Sequence, residues 1–599
     1  MRASTGERIL HFPQNHSIGE LYIQDDNVDR EFLGFRNVDQ WKSFAQAKGD
    51  VTLPAGKILA LYITQDYINN ASALSNLLPD DLYMLAICGS HPDDSIQRPK
   101  PNDKCVPYIT HLTKLKDLHL MNTNISTKGL GLFSNFTSLE YLTLSGEFID
   151  EELKVVSQQL KTLKGLYIQR DNLTDKSLTY LSALTSLKEL QIGGGRLTND
   201  GIANLTKLPS LEYLSLYSHN FTDDCLVYLK DIPSLRILDA GASHIWTNAV
   251  LEHIAKNRNI EAINLCWSNL ITDDGIAYLK NMPNLKRLAV GSAKLTDKAM
   301  NDLKEIPTLE YLSLSHQGIT DSGIQQITGL QNLKFLSAGG ASNSPLTDKS
   351  LSCIGKLQKL EELQIGGTGF SDEGMQDIAK LKNLKRLDIF TANQLTNKGL
   401  AELSALENLT YLYLGNGTQV SVSGLKSLNN LKRLKNLTLK DIHQDNTSTM
   451  DISGLTELEN LTLSLYTRRD VKNDSFRNSQ DWACLANLTK LDTLQISGMG
   501  IEDKGIQYLS NLKNLRFLNI YCAGESSITD DGIKQLSGLP KLYRLMIKDG
   551  HFTDKSLDYL SGMPALIWLE LTSDFAFSNK TIDNFQKKNP KIEHLVLIP

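Results

Sequence analysis

Hydrophobic positions recur along most of the chain in one short frame, Leu-x-x-Leu-x-Leu, in which Ile, Val or Ala can replace leucine. In the copy LKELQI, Leu190 and Ile192 alternate with polar residues, which predicts a strand with one buried face. The segment that follows, LTNDGIANLTKL, places Ile202, Leu205 and Leu208 three residues apart, as on one side of a short helix. Each copy therefore predicts a strand, a turn and a short helix.

The frame is repeated at a nearly constant interval, mostly 24 or 25 residues. So short a unit cannot bury a core alone and must stack on its neighbours. The pattern therefore predicts an α/β solenoid in which every coil supplies one strand. Copies begin at Leu115, Leu139, Leu163, Leu187, Leu211, Leu235, Ile260, Leu285, Leu309, Leu333, Leu360, Leu384, Leu409, Leu434, Leu458, Leu491, Leu515, Leu542, Leu566 and Ile592.

These strand frames, with the helix starts LTDKSL, FTDDCL and ITDDGI, resemble leucine-rich repeat proteins over roughly residues 110 to 599. The helix starts are similar to Thr-Asp-x-Gly-Leu repeats of bacterial, planctomycete-like proteins and, more distantly, to repeats of F-box adaptors. The resemblance implies a horseshoe solenoid of about 20 or more coils. Its parallel sheet would form the concave face and its short helices the convex face.

A Thr-Asp, Thr-Asn or Ser-Asp pair precedes most of the predicted helices. Recurrent acidic pairs could hold a metal, but a catalytic carboxylate would occur once or twice, and calcium binding by stacked aspartates needs a much shorter period. Thr, Ser, Asp and Asn side chains accept hydrogen bonds from the free N–H groups of a helix start. We therefore predict helix capping and no metal site. The pairs begin at Thr174, Thr198, Thr222, Thr272, Thr296, Thr320, Thr347, Ser371, Thr396, Thr529 and Thr553.

Charge and candidate chemistry narrow the functional classes. The formal net charge of -6 lacks the basic field that nucleic-acid binding requires, so no nucleic-acid partner is expected. No apolar run approaches 18 residues and no signal peptide is evident, so we predict no membrane insertion, with a cytoplasmic location favoured over secretion after loss of a leader. The usual phosphate-loop, hydrolase and zinc motifs are missing, which predicts a protein without enzymatic activity or cofactor.

The seven cysteines are odd in number and never form C-x-x-C. This spacing argues against a zinc ribbon and against a disulfide framework. Cys88 and Cys105 bracket an irregular loop and could form a disulfide in an oxidising compartment. Free thiols in a reducing cytosol are the favoured interpretation.

Residues 1–110 do not follow the repeat and are predicted to be an N-terminal cap that leads into the solenoid of residues 111–599. IGELYI and ILALYI predict strands, and DQWKSFAQA predicts a short helix. LLPDDLYMLAI resembles the start of an F-box, but LYMLAI fits a divergent repeat strand better. An independent ligand domain is the alternative for this region. At the other end, IEHLVLIP leaves the last strand uncovered, so a fragment or a dimer through that edge are alternatives to the expected monomer.

The resemblance places the third and fifth positions of each frame, and the residues just after it, on the concave face. Aromatic side chains among small polar residues favour a recognition surface, although they can also pack on their cross-strand neighbours. Charges of both signs are interspersed, acidic at Glu189, Asp239 and Asp388 and basic at Arg386 and Arg544, so a strongly charged ligand is not favoured. The predicted binding residues are Tyr141, Tyr167, Tyr213, Tyr217, Trp267, Tyr311, Phe335, Phe390, Tyr411, Tyr413, Phe517, Tyr521 and Trp568.

Three long insertions follow strands directly, after Ala338, Leu463 and Ile520, and are predicted to form a rim at the carboxyl ends of the strands. The sequence thus predicts a non-catalytic protein-protein interaction or scaffold protein, which binds a protein partner through the concave face and this rim. Two alternatives remain: a substrate-recognition or sensor subunit of a larger enzyme system, and an extracellular glycan- or surface-binding protein.

Overall fold

The computed structural model describes most of the chain, in two compact units, Met1–Lys294 and Leu295–Pro599. Each unit is a parallel sheet backed by a layer of short helices, as the repeat predicts. The described residues are 7–25, 41–63, 71–88, 100–146, 149–169, 172–217, 220–241, 245–314, 318–339, 344–443, 450–465, 479–498, 501–521 and 528–598.

The first unit contains a small antiparallel pair and one long sheet. β1 pairs with β4, and β2 lies between β3 and β5 in antiparallel register. From β5 onwards each strand pairs in parallel with the next along the chain, through β14. The strands are β1 (Arg8–His11), β2 (Glu20–Asp25), β3 (Lys42–Gln46), β4 (Asp50–Leu53), β5 (Lys57–Ile63), β6 (Met84–Cys88), β7 (Asp117–Thr123), β8 (Tyr141–Gly146), β9 (Gly165–Gln169), β10 (Glu189–Gly193), β11 (Tyr213–Tyr217), β12 (Ile237–Asp239), β13 (Ala262–Leu265) and β14 (Arg287–Val290).

The second unit is a parallel sheet in which neighbours along the chain are neighbours in space. Equivalent frame positions face each other, as Arg386 faces Tyr411. The strands are β15 (Tyr311–Leu314), β16 (Phe335–Ala338), β17 (Glu362–Ile365), β18 (Arg386–Thr391), β19 (Tyr411–Asn416), β20 (Asn436–Ile442), β21 (Asn460–Leu465), β22 (Thr493–Ser497), β23 (Phe517–Tyr521), β24 (Arg544–Gly550), β25 (Trp568–Ser573) and β26 (His594–Ile598).

Short helices follow the strands, and many end in a tighter 3₁₀ turn. The α-helices are α1 (Thr127–Leu130), α2 (Asp150–Gln159), α3 (Asp175–Leu181), α4 (Asn199–Ile202), α5 (Asn248–Ala255), α6 (Asp273–Ile276), α7 (Asp297–Leu303), α8 (Asp321–Gln326), α9 (Asp348–Ile354), α10 (Asp372–Ile378), α11 (Asn397–Glu402), α12 (Asp503–Ile506), α13 (Asp530–Leu536), α14 (Asp554–Leu560) and α15 (Asn579–Lys588). The 3₁₀ helices are Ala71–Asn76, Val106–Tyr108, Gly131–Asn135, Ala203–Lys207, Asp223–Asp231, Ala277–Asn281, Ile327–Gly329, Leu403–Ala405, Val422–Asn430, Ser479–Asn487 and Gln507–Asn511.

The leucines of the frame form the core between sheet and helices. In the coil of β10, Leu187, Leu190 and Ile192 are completely buried, and the helix residues Ile202 and Leu205 are too. This layer confirms the two hydrophobic periods read from the sequence. Because each coil contributes the same few apolar positions, the core is continuous within a unit and no coil has one of its own.

The N-terminal region confirms some predictions and contradicts one. LYMLAI contains β6, which pairs in parallel with β5 and β7, so it is a repeat strand. DQWKSFAQA does not form a helix: Lys42–Gln46 is β3, whose residue Ala45 lies opposite Leu21 of β2. The helical prediction was wrong because pairing with β2 supplies backbone hydrogen bonds that a short isolated helix would lack. The boundary near residue 110 stays a prediction.

At most of the Thr-Asp and Ser-Asp pairs, the hydroxyl side chain caps the helix that follows it. The hydroxyl of Thr174 accepts a hydrogen bond from the amide of Lys176 at 3.3 Å, and Thr347 does the same for Lys349. Thr174 and Thr347 have extended backbones just before α3 and α9. The predicted capping is therefore confirmed at most of the pairs, whereas Thr198, Thr222 and Thr272 make no side-chain capping hydrogen bond.

The aspartate of each pair has a different role, which the sequence analysis missed. Asp175 binds the next coil, where it accepts hydrogen bonds from the amide of Thr198 at 2.9 Å and from its hydroxyl at 2.6 Å. Asn199 continues the series, since its side chain accepts from the amide of Thr222 and donates to its hydroxyl. We call each such contact a rung. Further rungs start from Asp103, Asp150, Asp223, Asn248, Asp297, Asp321, Asp348, Asp372, Asn397, Asp503, Asp530 and Asp554.

The rungs also explain the residue three positions after the capping threonine. A Cβ at Gly201 would lie 2.2 Å from Oδ1 of Asp175, and one at Gly532 would lie 2.5 Å from Oδ1 of Asp503. Where this residue is serine, its hydroxyl joins the rung, as Ser350 donates to Asp321 at 2.5 Å. The Thr-Asp-x-Gly signature is therefore a single device that holds consecutive coils in register.

A second ladder connects the coils at the position just before each strand. Lysine and glutamate alternate there, so opposite charges face each other across neighbouring strands. The pairs are Lys116–Glu140 (2.5 Å), Lys164–Glu140 (2.8 Å), Lys188–Glu212 (2.7 Å), Lys286–Glu261 (2.8 Å), Lys334–Glu310 (2.7 Å), Lys385–Glu361 (2.6 Å) and Lys435–Glu459 (2.7 Å). These ion pairs connect successive coils, and because most of the side chains are partly exposed, each contributes at most about 1 kcal/mol.

Candidate functional site

The side chains that alternate with the core leucines form the opposite surface of each sheet, which we call the strand face. In β19, Leu412 and Leu414 are buried, whereas Tyr411 and Tyr413 between them are half-buried. The strand face therefore carries the third and fifth positions of the frame, as predicted. It also carries the seventh position wherever the strand is long enough.

Eleven of the thirteen predicted binding residues are at least partly exposed, and two are not. Tyr213 is only 2% exposed and Tyr167 only 9%. The prediction that these two tyrosines would be accessible was wrong, because neighbouring side chains on the strand face cover them. The partly exposed residues are Tyr141, Tyr217, Tyr311, Phe335, Phe390, Tyr411, Tyr413, Phe517, Tyr521 and Trp568, and Trp267 is 61% exposed.

Buried carboxylates underlie the tyrosines of the first unit. Glu189 accepts a hydrogen bond from the hydroxyl of Tyr167 and is only 2% exposed. Asp239 accepts from Nδ2 of Asn264 at 2.9 Å, from the amide of Gly241 at 3.3 Å and from the hydroxyl of Tyr217 at 3.5 Å. The acidic side chains expected on an open surface are therefore parts of a closed polar layer. Asp388 of the second unit is likewise buried.

Burial controls ionisation in this layer. Desolvation raises the pKa of Asp239, and hydrogen bonds from Gly241 and Asn264 offset this only in part. Desolvation also raises the pKa of Tyr213, so its hydroxyl stays protonated and able to donate. The layer thus consists of neutral donors around carboxylates, which suits internal packing better than ligand capture.

Trp267 has the most unusual backbone among the predicted residues. It follows β13 with φ of 69°, a left-handed conformation that is rare for a bulky residue. Its indole is 61% exposed. Strain of this kind persists where the surrounding structure enforces it and is often found at functional positions.

In the second unit, the structure brings several predicted aromatics together. Tyr311 and Phe335 stack with ring centroids 4.0 Å apart and planes within 8°. Phe390 lies 6.0 Å from Tyr413, and Nζ of Lys440 lies 5.6 Å from the centroid of the Tyr413 ring. These residues form a central aromatic patch on β15 to β20.

A second group lies on β23 to β26. The Arg544 guanidinium lies over the Trp568 ring at 4.6 Å, and His594 stacks on that ring at 3.5 Å. Lys548 lies 5.4 Å from the centroid of Tyr521 and pairs with Glu570 at 3.2 Å. We call this group the C-terminal patch.

The stacking of arginine on the next strand's aromatic ring was not predicted from the sequence. Arg386 lies 3.8 Å from the Tyr411 ring centroid, and Arg544 stacks on Trp568 in the same manner. Each pair occupies the third frame position of consecutive coils, and parallel register places these positions side by side. Comparison of equivalent positions in successive copies would have predicted both contacts.

The two cysteines that could have formed a disulfide are not bonded to each other. Cys88 and Cys105 are free thiols. Desolvation raises the pKa of both, that of Cys88 to about 11, so both stay protonated at neutral pH. Within the part of the chain that the structure describes, no group of three or more His, Cys, Asp or Glu residues could hold a metal ion.

The rim insertions lie largely at residues 340–343, 466–478 and 522–527, outside the described residues.

A shallow depression on the second unit is lined by polar side chains, several of which pair with one another or with neighbouring residues. Its charges are already used: Arg516 lies 3.7 Å from Asp492, and Lys490 binds Glu457 at 2.6 Å. Nζ of Lys541 donates to Asn514 at 2.8 Å. The depression is lined by Glu459, Asn460, Lys490, Asp492, Asn514, Arg516 and Lys541.

Comparison with protein families settles what these coils are. The model described as a leucine-rich repeat region matches residues 95–346 and 341–590. The chain is a leucine-rich repeat protein. Members of this family are typically scaffolds or receptors that bind other proteins and are typically not enzymes. No helix within the described ranges has the length and hydrophobicity to cross a bilayer.

Solved structures of other leucine-rich repeat proteins are similar to this chain at low sequence identity. An internalin of Listeria monocytogenes is 21% identical over 58% of this chain and 90% of its own, with a TM-score of 0.38. A leucine-rich repeat protein of Leptospira interrogans is 20% identical over 84% and 100%, with a TM-score of 0.36. The mouse RP105/MD-1 complex contains a chain 16% identical over 86% and 91%, with a TM-score of 0.46. The search of curated proteins found no match.

Proposed function

We propose that this leucine-rich repeat protein is a non-catalytic interaction or scaffold protein that binds a protein partner through the strand face of its second unit. The rim beside that face is proposed as the outer part of the same binding surface. The observation that carries the proposal is the concentration of half-buried aromatic and cationic side chains in the central aromatic patch and the C-terminal patch.

The composition of these two patches is typical of interface hot spots. Tyr, Trp and Arg supply large contact areas at low cost in conformational entropy, and they dominate measured binding energies. Stacking against neighbours, as in Tyr311 on Phe335, fixes the side chains before a partner arrives. The first unit supports the same use less well, since Tyr167 and Tyr213 are buried in its closed layer. The repeat signature supports the bacterial Thr-Asp-x-Gly-Leu class that we propose for the chain.

A matched pair of tyrosines tests the proposal. Tyr413 on the strand face and Tyr559 on α14 are both half-buried, and each has a lysine Nζ 5.6 Å from its ring centroid. We expect Tyr413→Ala to weaken binding of the purified partner, obtained by affinity capture from the source organism, by about tenfold or more. Tyr559→Ala should change the affinity less than about twofold. Isothermal titration calorimetry measures both.

Folding has to be preserved for the comparison to be valid. Circular dichroism and thermal unfolding of both variants provide that control. Equal loss of affinity in both variants, or no loss in the Tyr413 variant, would show that the strand face of this unit is not the binding surface.

A further inference from the structure

Two arginines of the second unit occupy equivalent positions but have different neighbours. Arg386 and Arg544 each hold the third frame position, and each stacks on the aromatic ring at the third position of the next strand. The fifth position, two residues on, differs. It is Asp388 after Arg386 and Met546 after Arg544.

The aspartate completes the first of these sites. Nε of Arg386 donates to Oδ2 of Asp388 at 2.6 Å and Nη2 donates to Oδ1 at 3.3 Å, which is a bidentate contact. Asp388 is only 3% exposed, so the stacked guanidinium holds a buried carboxylate. Met546 cannot replace it, because a thioether is at best a weak acceptor.

Arg544 lacks this acceptor. Its Nε is buried and makes no hydrogen bond with any described residue, and no described carboxylate forms an ion pair with it. Nε1 of Trp568, on which it stacks, is also buried and without an acceptor within the described ranges. Two N–H donors on adjacent strands are therefore unsatisfied, and each costs the desolvation energy of a buried polar group.

The neighbouring side chains do not supply a hydrogen-bond acceptor for these two N–H donors. The acidic residue Glu570 lies in register with Met546 on the neighbouring strand, and it is already paired with Lys548 at 3.2 Å. The ring of His594 stacks on the face of the indole, and no described residue accepts a hydrogen bond from the indole N–H. Met546 itself offers these donors no acceptor stronger than a thioether.

We propose that Arg544 and the indole N–H of Trp568 form a carboxylate-binding site, which receives an Asp or Glu side chain from an acidic segment of the protein partner. The incoming carboxylate has the role that Asp388 has for Arg386. Lys548 and Glu570 pair with each other, so the uncompensated charge at this site is that of the Arg544 guanidinium. This inference rests on the proposed function and assigns the partner's chemistry at the C-terminal patch.

The test uses a defined probe and the intact chain. The chain has only five tryptophans, so their indole N–H signals can be resolved in protein labelled with 15N in tryptophan. Trp568→Phe assigns the relevant signal. We expect the capped peptide acetyl-hexaglutamate-amide to shift the Trp568 indole signal in a saturable way, whereas acetyl-hexaglutamine-amide should leave it unchanged.

Variants then localise the effect. Arg544→Gln removes the guanidinium, and Met546→Asp supplies an internal carboxylate in the arrangement of Arg386 and Asp388. Both should weaken hexaglutamate binding about tenfold or more. Arg386→Gln and Met546→Leu are the controls and should bind like the parent protein, since Arg386 is already occupied and leucine adds no acceptor.

Absence of a saturable shift, or undiminished binding in the Arg544→Gln or Met546→Asp protein, would overturn the proposal. Both variants are tested for folding by circular dichroism, and the two act by different means, so one that misfolds leaves the other informative. If hexaglutamate binding fails while Tyr413→Ala still weakens partner binding, only the carboxylate site is refuted. If Tyr413→Ala has no effect, the proposed function itself fails.

Discussion

The rung between Asp503 and Thr529 allows the role of the Thr-Asp-x-Gly signature to be measured. Oδ1 of Asp503 accepts from the amide of Thr529 at 2.8 Å, and Oδ2 accepts from its hydroxyl at 2.6 Å. A Cβ at Gly532 would lie 2.5 Å from that Oδ1 and 3.0 Å from Cγ2 of Ile528. Removing the carboxylate and adding the Cβ are therefore coupled perturbations of one contact.

Each single change should destabilise the coil by a similar amount. Asp503→Ala leaves two donors without their charged acceptor, and because the rung is half-buried we expect a loss of about 1–3 kcal/mol. Gly532→Ala forces a Cβ against the carboxylate, for which overpacking predicts about 1–3 kcal/mol. In the double variant the closest clash disappears with the carboxylate and only the 3.0 Å contact with Ile528 remains, so the combined loss should fall short of the sum by about 1 kcal/mol or more.

Hydrogen exchange is the suitable assay, because a solenoid can open coil by coil and a single unfolding midpoint would average over coils. Exchange of the Thr529 amide reports the rung directly, and chemical denaturation gives the global effect. Gly329→Ala is the control, since a Cβ there would meet nothing within 4 Å and should cost little. Additive losses in the double variant, or equal losses in Gly532→Ala and Gly329→Ala, would refute the rung as the reason for the glycine.

Three further predictions concern the two ladders. Asp321→Asn should destabilise the chain less than Asp321→Ala, because asparagine can still accept from the Thr347 amide, as it does in the natural asparagine rungs; denaturation of the two variants compares them. Burial raises the pKa of Asp150 and of Asp530, but hydrogen bonds outweigh it and hold each pKa below its ordinary value. Their stabilisation is therefore present above the unfolded-state pKa of about 3.9 and lost as the pH falls through the lower folded-state value, and Asp150→Asn should reduce this acid sensitivity in a circular dichroism titration. Glu140→Gln should cost at most about 1 kcal/mol, less in high salt, since the ion pairs it removes are partly exposed; a loss independent of salt in denaturation experiments would contradict this.

The sequence was sufficient to predict the fold because every coil contains both hydrophobic periods, the alternation of a strand and the three-residue spacing of a short helix. Leu190 and Ile192 alternate as a strand requires, and the leucines of the following helix return every third residue. The segment DQWKSFAQA is different, since its conformation is decided by pairing with β2 residues that lie 19 to 26 positions earlier, which no local pattern records. Long-range pairing overrides local preference in this way wherever the segment is short.

The site was predicted less completely, for reasons that can be named. The position of a residue in the frame predicts whether its side chain lies on the strand face, but it does not predict which side chains there cover one another. Tyr213 was therefore expected to be accessible, although it is buried. The aspartates were assigned to their own helices because a carboxylate suits a helix start. Their actual partner, as for Asp175 and Thr198, is 23 residues further on. Aligning successive repeats at the observed interval would have placed each aspartate beside the threonine of the next coil.

Photo-crosslinking from the two matched tyrosine positions tests the central claim most directly. A benzophenone amino acid is placed at Tyr413 on the strand face in one protein and at Tyr559 on α14 in the other, and each is irradiated with the partner. The account predicts a crosslinked complex from position 413 and none from position 559. Crosslinking from position 559 alone would contradict it and move the binding surface to the helix side.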